Sequence, residues 1–99
     1  MICSMTLGRV APENLQKYTD WIQGPWVKLI SNQEGFRETH YMAKPNGEWA
    51  VLKFWETEVH DQRWAENPQH QELAKQVLPM FLGDLFRDVF EVKESVLSG

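Results

Sequence analysis

The sequence is poor in the features that mark a disulfide scaffold, a membrane protein or a nucleic-acid binder. Cys3 is the only cysteine in 99 residues. No internal disulfide can form, and its place in an apolar run reads as a small core residue. No stretch approaches the ~20 apolar residues that cross a bilayer. The opening MICSMTLGRV lacks the basic start and long apolar run of a signal peptide. A cytoplasmic protein with no membrane partner is therefore expected. The net charge is −4, with acids and bases interspersed, whereas a nucleic-acid partner needs a concentrated basic face. There is no G-x-G-x-x-G and no glycine-rich phosphate loop, so no nucleotide cofactor is expected. The three histidines show no ligand spacing such as H-x-x-x-H, so no metal is expected either. A serine or cysteine nucleophile with a partner is also not evident.

What the chain has in excess is tryptophan, five in all. Its length predicts one domain over residues 1–99. Folded alone, a chain of this size hides only about 60–65% of its unfolded surface, so a partner subunit would help it.

Periodicity supplies the elements. In residues 2–10 Cys3, Met5 and Leu7 alternate with Ser4, Thr6 and Gly8, which predicts a strand. Pro12 opens a helix whose stripe is Leu15, Tyr18, Ile22, Trp26 and Leu29. Gly24-Pro25 predicts a kink or short break within it, and Gly35 closes it. Two strands follow, roughly 36–43 and 48–56. Asn46-Gly47 between them predicts a two-residue hairpin turn. That register would set Tyr41 opposite Leu52 and Thr39 opposite Phe54, with His40 meeting Lys53 and Met42 meeting Val51 on the other face. Asp61 is placed as the cap of a short helix carrying Trp64. Asn67-Pro68 restarts the helix, with a buried stripe of Leu73, Ala74, Val77, Leu78 and Phe81. Residues 86–94 read as the last strand.

The order is strand, helix, strand, strand, helix, strand. It predicts an α+β, ferredoxin-like βαββαβ sandwich with both helices on one face of an antiparallel sheet. In the predicted register the hairpin is apolar on both faces: Tyr41, Leu52 and Phe54 need cover, and so do Met42, Trp49, Val51 and Trp55. The helices shield one set only, so a homodimer packed sheet against sheet is expected. A monomer with an apolar ligand groove is the alternative.

The segment VLKFWETEVHDQRWAENPQHQELAK resembles the second half of the antibiotic biosynthesis monooxygenase family, and QEGF before the second strand fits the same pattern. The resemblance covers nearly the whole chain in order and length. It implies a dimeric α/β barrel with a pocket in each subunit between sheet and helices. The family holds cofactor-free oxygenases of aromatic polyketides and quinols, haem-degrading enzymes, and members with no known activity. In the polyketide oxygenases the proposed working residues are a tryptophan on the short helix, an asparagine one turn before it and a tyrosine six residues after it. Those positions are Trp64, His60 and His70 here, so the aromatic is kept and both polar partners differ. The haem-degrading branch places an asparagine on the first strand and an iron-ligating histidine nine or ten residues after the tryptophan. ICSMTLGRV has no asparagine, and Leu73 and Ala74 stand at the histidine positions. Haem degradation is not expected.

Taken by themselves, the residues offer His70 as the candidate general base. It lies in the first turn of the helix capped by Asn67, where the dipole disfavours a charged imidazole. The other reading is a surface histidine bonded to the cap. Trp64 is a candidate wall for a flat ring, or simply a packing residue. His60 could touch a substrate oxygen, or only help end its loop. Candidate substrate contacts are His40 (if its face is the helix-side face), Trp55, Asn67 and Arg87. Arg87 could hold an anion, or pair with Asp84 or Asp88. The expectation is a cofactor-independent monooxygenase of a small electron-rich aromatic, a phenol, anthrone or hydroquinone. A non-catalytic binding dimer, or an oxygen-free cyclase or isomerase on the same fold, is the alternative.

Overall fold

In a computed structural model, which describes residues 1–93, the chain forms β1 (Ile2–Arg9), α1 (Leu15–Trp21), α2 (Val27–Ile30), β2 (Phe36–Ala43), β3 (Glu48–Trp55), α3 (Glu58–Glu66), α4 (Pro68–Ala74) and β4 (Phe86–Glu91). The last position of the expected final strand, Glu94, lies outside the described residues. The sheet order is β2-β3-β1-β4, antiparallel throughout, which is the ferredoxin-like α+β arrangement. Among the described residues no helix is long and apolar enough to cross a membrane.

Between α1 and α2 the chain does not break. Residues Ile22–Trp26 form a wide π-type turn, in which the Val27 N–H reaches back to the Ile22 carbonyl. Pro25 has no N–H and crowds the carbonyl four residues earlier, and the wider turn makes room for it. Ile22 and Trp26 remain buried on either side of the proline.

The hairpin corrects the expected register by one residue. Tyr41 lies opposite Val51, Thr39 opposite Lys53, and His40 opposite Leu52. Pro45 is the cause. With φ fixed near −65°, it favours the second position of a type I turn. The Gly47 N–H bonds to the Lys44 carbonyl at 3.0 Å, and Gly47 has φ +98°. A two-residue type I′ turn needs positive φ at both central residues, yet no non-glycine residue among those described has it. The loop is therefore Pro45-Asn46-Gly47, one residue longer than Asn-Gly alone. A one-residue slip exchanges the faces on which residues meet.

The observed register makes two distinct sheet faces. Towards the helices lie Tyr41, Val51, Thr6 and Arg87 in one row and Thr39, Lys53, Ser4 and Val89 in the next. Away from them lie Met42, Ala50, Leu7 and Phe86; then His40, Leu52, Met5 and Asp88; then Glu38, Phe54, Cys3 and Phe90. Cys3, Met5 and Leu7 thus face away from the helices, and Cys3 is half-buried there rather than a core residue. The core sits on the helix side and gathers Val10, Tyr18, Ile22, Trp26, Ile30, Trp49, Val51, Trp55, Trp64 and Val77. The stripe expected after Asn67 is shorter than predicted: α4 ends at Ala74 and Leu78 is exposed.

β1 turns its small side chains, Ser4, Thr6 and Gly8, towards the helices. Less volume fills the space between the layers there than an apolar strand would fill. Gly8 is required by this packing, because a Cβ on it would stand 2.5 Å from Trp49 Cζ2 and 2.7 Å from Leu85 Cδ2. Gly8→Ala is expected to cost about 1–3 kcal/mol through overpacking. Thermal unfolding checks this, together with the fluorescence shift of a displaced Trp49.

Candidate active site

The space left between the layers is a cavity of about 290 Å³. Most of its wall is apolar, and a third of the lining residues are Tyr, Trp or Phe. Tyr18, Trp21 and Trp26 reach it from the first helical segment, Trp49 from β3 and Trp64 from α3. Trp26 meets Trp64 edge-on at 6.0 Å, and Tyr18 lies 4.8 Å from Trp49. Leu78, Phe81 and Leu85, from the segment between α4 and β4, complete the apolar lining. Five polar side chains reach the same space: Thr6, Lys53, Asp61, His70 and Arg87.

Local sequence explains how His70 arrives there. Asn67 ends α3 with extended backbone, φ −63° and ψ 121°, and Pro68 opens α4. The Asn67 Oδ1 accepts the N–H of Gln69 at 2.8 Å and of His70 at 3.2 Å, so the cap holds the histidine's own backbone. The His70 ring stacks on Trp64 with centroids 4.0 Å apart and planes 16° apart. Its Nδ1 lies 3.1 Å from the Trp64 carbonyl oxygen. A carbonyl only accepts, so Nδ1 carries the proton and donates; in the neutral ring Nε2 then holds the free lone pair. Burial lowers the His70 pKa below the usual 6.5, and the charge of Lys53 lowers it further, against the opposing pull of the Trp64 carbonyl. The shift runs in the direction the sequence predicts, although its largest cause is desolvation and not the helix end.

Lys53 and Asp61 were missed at the level of sequence. Asp61 does not cap α3; it sits inside that helix, one turn before Trp64 and 1% exposed, and Thr57 precedes the helix instead. Its Oδ2 accepts a charge-assisted bond from Arg87, so Arg87 pairs across the fold and not with Asp84 or Asp88. Lys53 is 8% exposed and donates to Thr6 Oγ1 at 3.0 Å. Burial pulls its pKa from 10.5 down to about 8, against the attraction of Asp61. The signal for Lys53 was present in the phase of β3: Trp49, Val51, Lys53 and Trp55 share one side, all buried.

Of the expected site residues, His70, Trp64 and Arg87 meet at the cavity. His60 does not line it; its Nδ1 bonds Thr57 Oγ1 at 2.8 Å, and its ring lies against Gly35. His40 falls on the opposite sheet face, exposed and paired with Glu38 at 2.9 Å, because the register slips by one. Trp55 lies fully buried behind Trp64 at 6.2 Å. Asn67 acts as the cap and donates Nδ2 to Gln33 Oε1 at 3.2 Å.

The family model for antibiotic biosynthesis monooxygenase matches residues 1–76. The chain belongs to this family. Solved structures agree on the fold at low identity. A Streptomyces coelicolor monooxygenase from the gene ActVA-Orf6, in complex with nanaomycin D, is 17% identical with a TM-score of 0.85, over 99% of this chain and 92% of that one. SnoaB, a cofactor-independent oxygenase from Streptomyces nogalater, is 11% identical with a TM-score of 0.78, over 98% of this chain and 97% of that one. A Deinococcus radiodurans protein named for the same family is 11% identical with a TM-score of 0.86, over 100% of this chain and 99% of that one. No curated protein matches the chain significantly in sequence.

Proposed function

We propose that the protein is a cofactor-independent monooxygenase of a small electron-rich aromatic, a phenol, anthrone or hydroquinone. The observation that carries this reading is the state of His70. The ring is pinned through Nδ1 and stacked on Trp64, burial disfavours its charged form, and among the described residues Nε2 has no partner at the cavity. The cofactor-independent oxygenase activity named for SnoaB and the nanaomycin D bound by the ActVA-Orf6 protein belong to those relatives, and they support the same choice of chemistry.

In this reading the substrate lies in the cavity with its ring against the tryptophan wall. His70 Nε2 takes the acidic proton. The resulting carbanion or phenolate gives one electron to dioxygen, and the radical pair joins as a peroxide anion, which takes the proton back from His70 to become a hydroperoxide. His70 then removes the remaining hydrogen of the same carbon as a proton while the O–O bond breaks, and passes that proton to the departing hydroxide; a carbonyl and water result. One dioxygen is consumed, one oxygen atom enters the substrate and the other leaves as water. The substrate supplies all the electrons, so no external reductant enters the balance. The protein contributes a base of suitable pKa and a dry, shaped site.

The second copy belongs to the same reading. The outer sheet face carries Met5, Leu7, Leu52 and Phe54 beside Met42, Phe86 and Phe90, the last three between 51% and 54% exposed. Contiguous apolar area of this kind favours association, and a twofold axis would set sheet against sheet. Light scattering after size exclusion is expected to give twice the chain mass, and Leu52→Glu to give the monomer. A wild-type monomer at micromolar concentration would sink the dimer.

Oxygen uptake by metal-stripped protein tests the activity, with anthrones and dihydroxynaphthalenes as substrates. Uptake with one oxygen consumed per quinone formed is the expected result. Conversion of substrate without uptake would point to an enolate isomerisation or cyclisation in the same cavity. A ligand held without conversion would point to a binding dimer.

A further inference from the structure

The proposed proton abstraction leaves one buried group without a task. Lys53 is an ammonium buried at the sheet centre, and no hydrogen bond or ion pair joins it to an acid among the described residues. Among the described residues its one hydrogen-bond partner is the Thr6 hydroxyl, which leaves two of its three donors unmet there. Buried charges are normally paired, and an unpaired one calls for a reason.

The charge balance of the cavity sharpens the point. Lys53 and Arg87 bring two positive charges and Asp61 brings one negative charge. Asp61 is already engaged by Arg87, and burial disfavours a charge on His70. The cavity therefore holds one net positive charge inside aromatic walls, where attraction for an anion is strong. Its unmet hydrogen-bonding groups point the same way. The indole N–H groups of Trp21, Trp49 and Trp64 are buried without a partner among the described residues, and the unmet acceptors at the cavity are Asp61 Oδ1 and the His70 Nε2 lone pair. Such a lining suits a ligand that brings a negative oxygen and accepts more hydrogen bonds than it donates.

We infer that Lys53 is the oxyanion seat of this cavity: the substrate is an acidic hydroxyarene or enol whose ionised oxygen rests on the Lys53 ammonium. The inference rests on the reading of the cavity as the substrate site. It narrows the substrate from electron-rich aromatics in general to those whose ionising oxygen is conjugated with the carbon that meets dioxygen. Proton removal by His70 puts negative charge on that oxygen, and Lys53 stabilises it without a counter-ion of its own. A plain aromatic hydrocarbon or a fully alkylated ether offers Lys53 no negative oxygen.

The test uses a phenol too electron-poor to be oxidised, so that binding is read apart from turnover. 4-Nitrophenol, held above its pKa, is titrated into wild type and Lys53→Met and followed by phenolate absorbance. 4-Nitroanisole, its uncharged methyl ether, is titrated in parallel by calorimetry. Wild type is expected to prefer the phenolate over the ether by at least about tenfold, as a charge-assisted hydrogen bond requires. Lys53→Met is expected to bind the ether as wild type does and to lose the preference, and Lys53→Arg to recover part of it. Equal affinities in wild type, or a preference that survives in Lys53→Met, would overturn the inference while leaving the oxygenase reading in place. Binding of neither compound would overturn both. A Lys53-dependent preference in a protein that takes up no oxygen with any phenol would leave the oxyanion seat standing and remove the oxygenase.

Discussion

His70→Ala is expected to lower kcat for the proposed aromatic oxidation by about 10²–10⁴, the range that a positioned base contributes, and to leave the fold intact. The stability cost is modest because the ring, although stacked on Trp64, is not part of the buried core. The Asn67 cap keeps its bonds, since they go to backbone N–H groups that alanine retains. The pH profile separates a base from a packing residue. If His70 is the base, the active form is the neutral ring, so wild-type kcat is expected to fall as pH drops through the His70 pKa, which burial places below 6.5. The variant lacks that limb. Folding follows the same sign. The unfolded chain takes up the His70 proton near pH 6.5 while the folded chain resists it, so stability is full above that point and falls as pH drops towards the folded value. A stopped-assay pH series on both proteins, beside circular dichroism, checks each part.

Lys53→Met is expected to make the protein more stable at neutral pH. The fall of the Lys53 pKa from 10.5 to about 8 corresponds to roughly 3 kcal/mol of penalty on the buried ammonium. Methionine fills a similar volume without that charge, and Thr6 loses a single hydrogen bond that a hydroxyl can replace. A gain of about 1–3 kcal/mol should appear in denaturant unfolding at pH 7. The dependence on pH fixes its origin. Below pH 8 both folded and unfolded chains carry the proton, so the whole penalty, and the whole gain, is present. As pH rises towards 10.5 the folded amine is neutral and the unfolded one follows, so the advantage shrinks. A constant gain across that range would assign the effect to packing instead. A group kept at such a cost to stability fits a role in binding.

The fold was legible because its signals are local and redundant. Alternation in β1, the stripe from Leu15 to Leu29 and the Asn67-Pro68 restart each follow from a few neighbouring residues. The hairpin register was not, because Asn46-Gly47 alone predicts two loop residues whereas Pro45 makes three. That single residue moved His40 out of the expected site. The same limit applies to the polar corner of the cavity. Lys53 and Asp61 lie far apart from Arg87 along the chain, and their meeting depends on the sheet order β2-β3-β1-β4 and on α3 packing against β3. Asp61 also carried a misleading local signal, since an aspartate near a helix start reads first as a cap. His70 was legible because its backbone anchor and its stacking partner lie within six residues of it. His60 was not separable from it by sequence: both flank Trp64, and only the packing against Gly35 shows His60 facing elsewhere.

The most direct test of the proposed chemistry is the fate of dioxygen. The product formed under ¹⁸O₂ by metal-stripped wild type, from any anthrone or dihydroxynaphthalene that it converts, is weighed by mass spectrometry. The account predicts one ¹⁸O atom in each product molecule and the other in water, with His70→Ala forming product at no more than about one hundredth of the rate. Product without label would contradict it and assign the cavity to an oxygen-free enolate reaction.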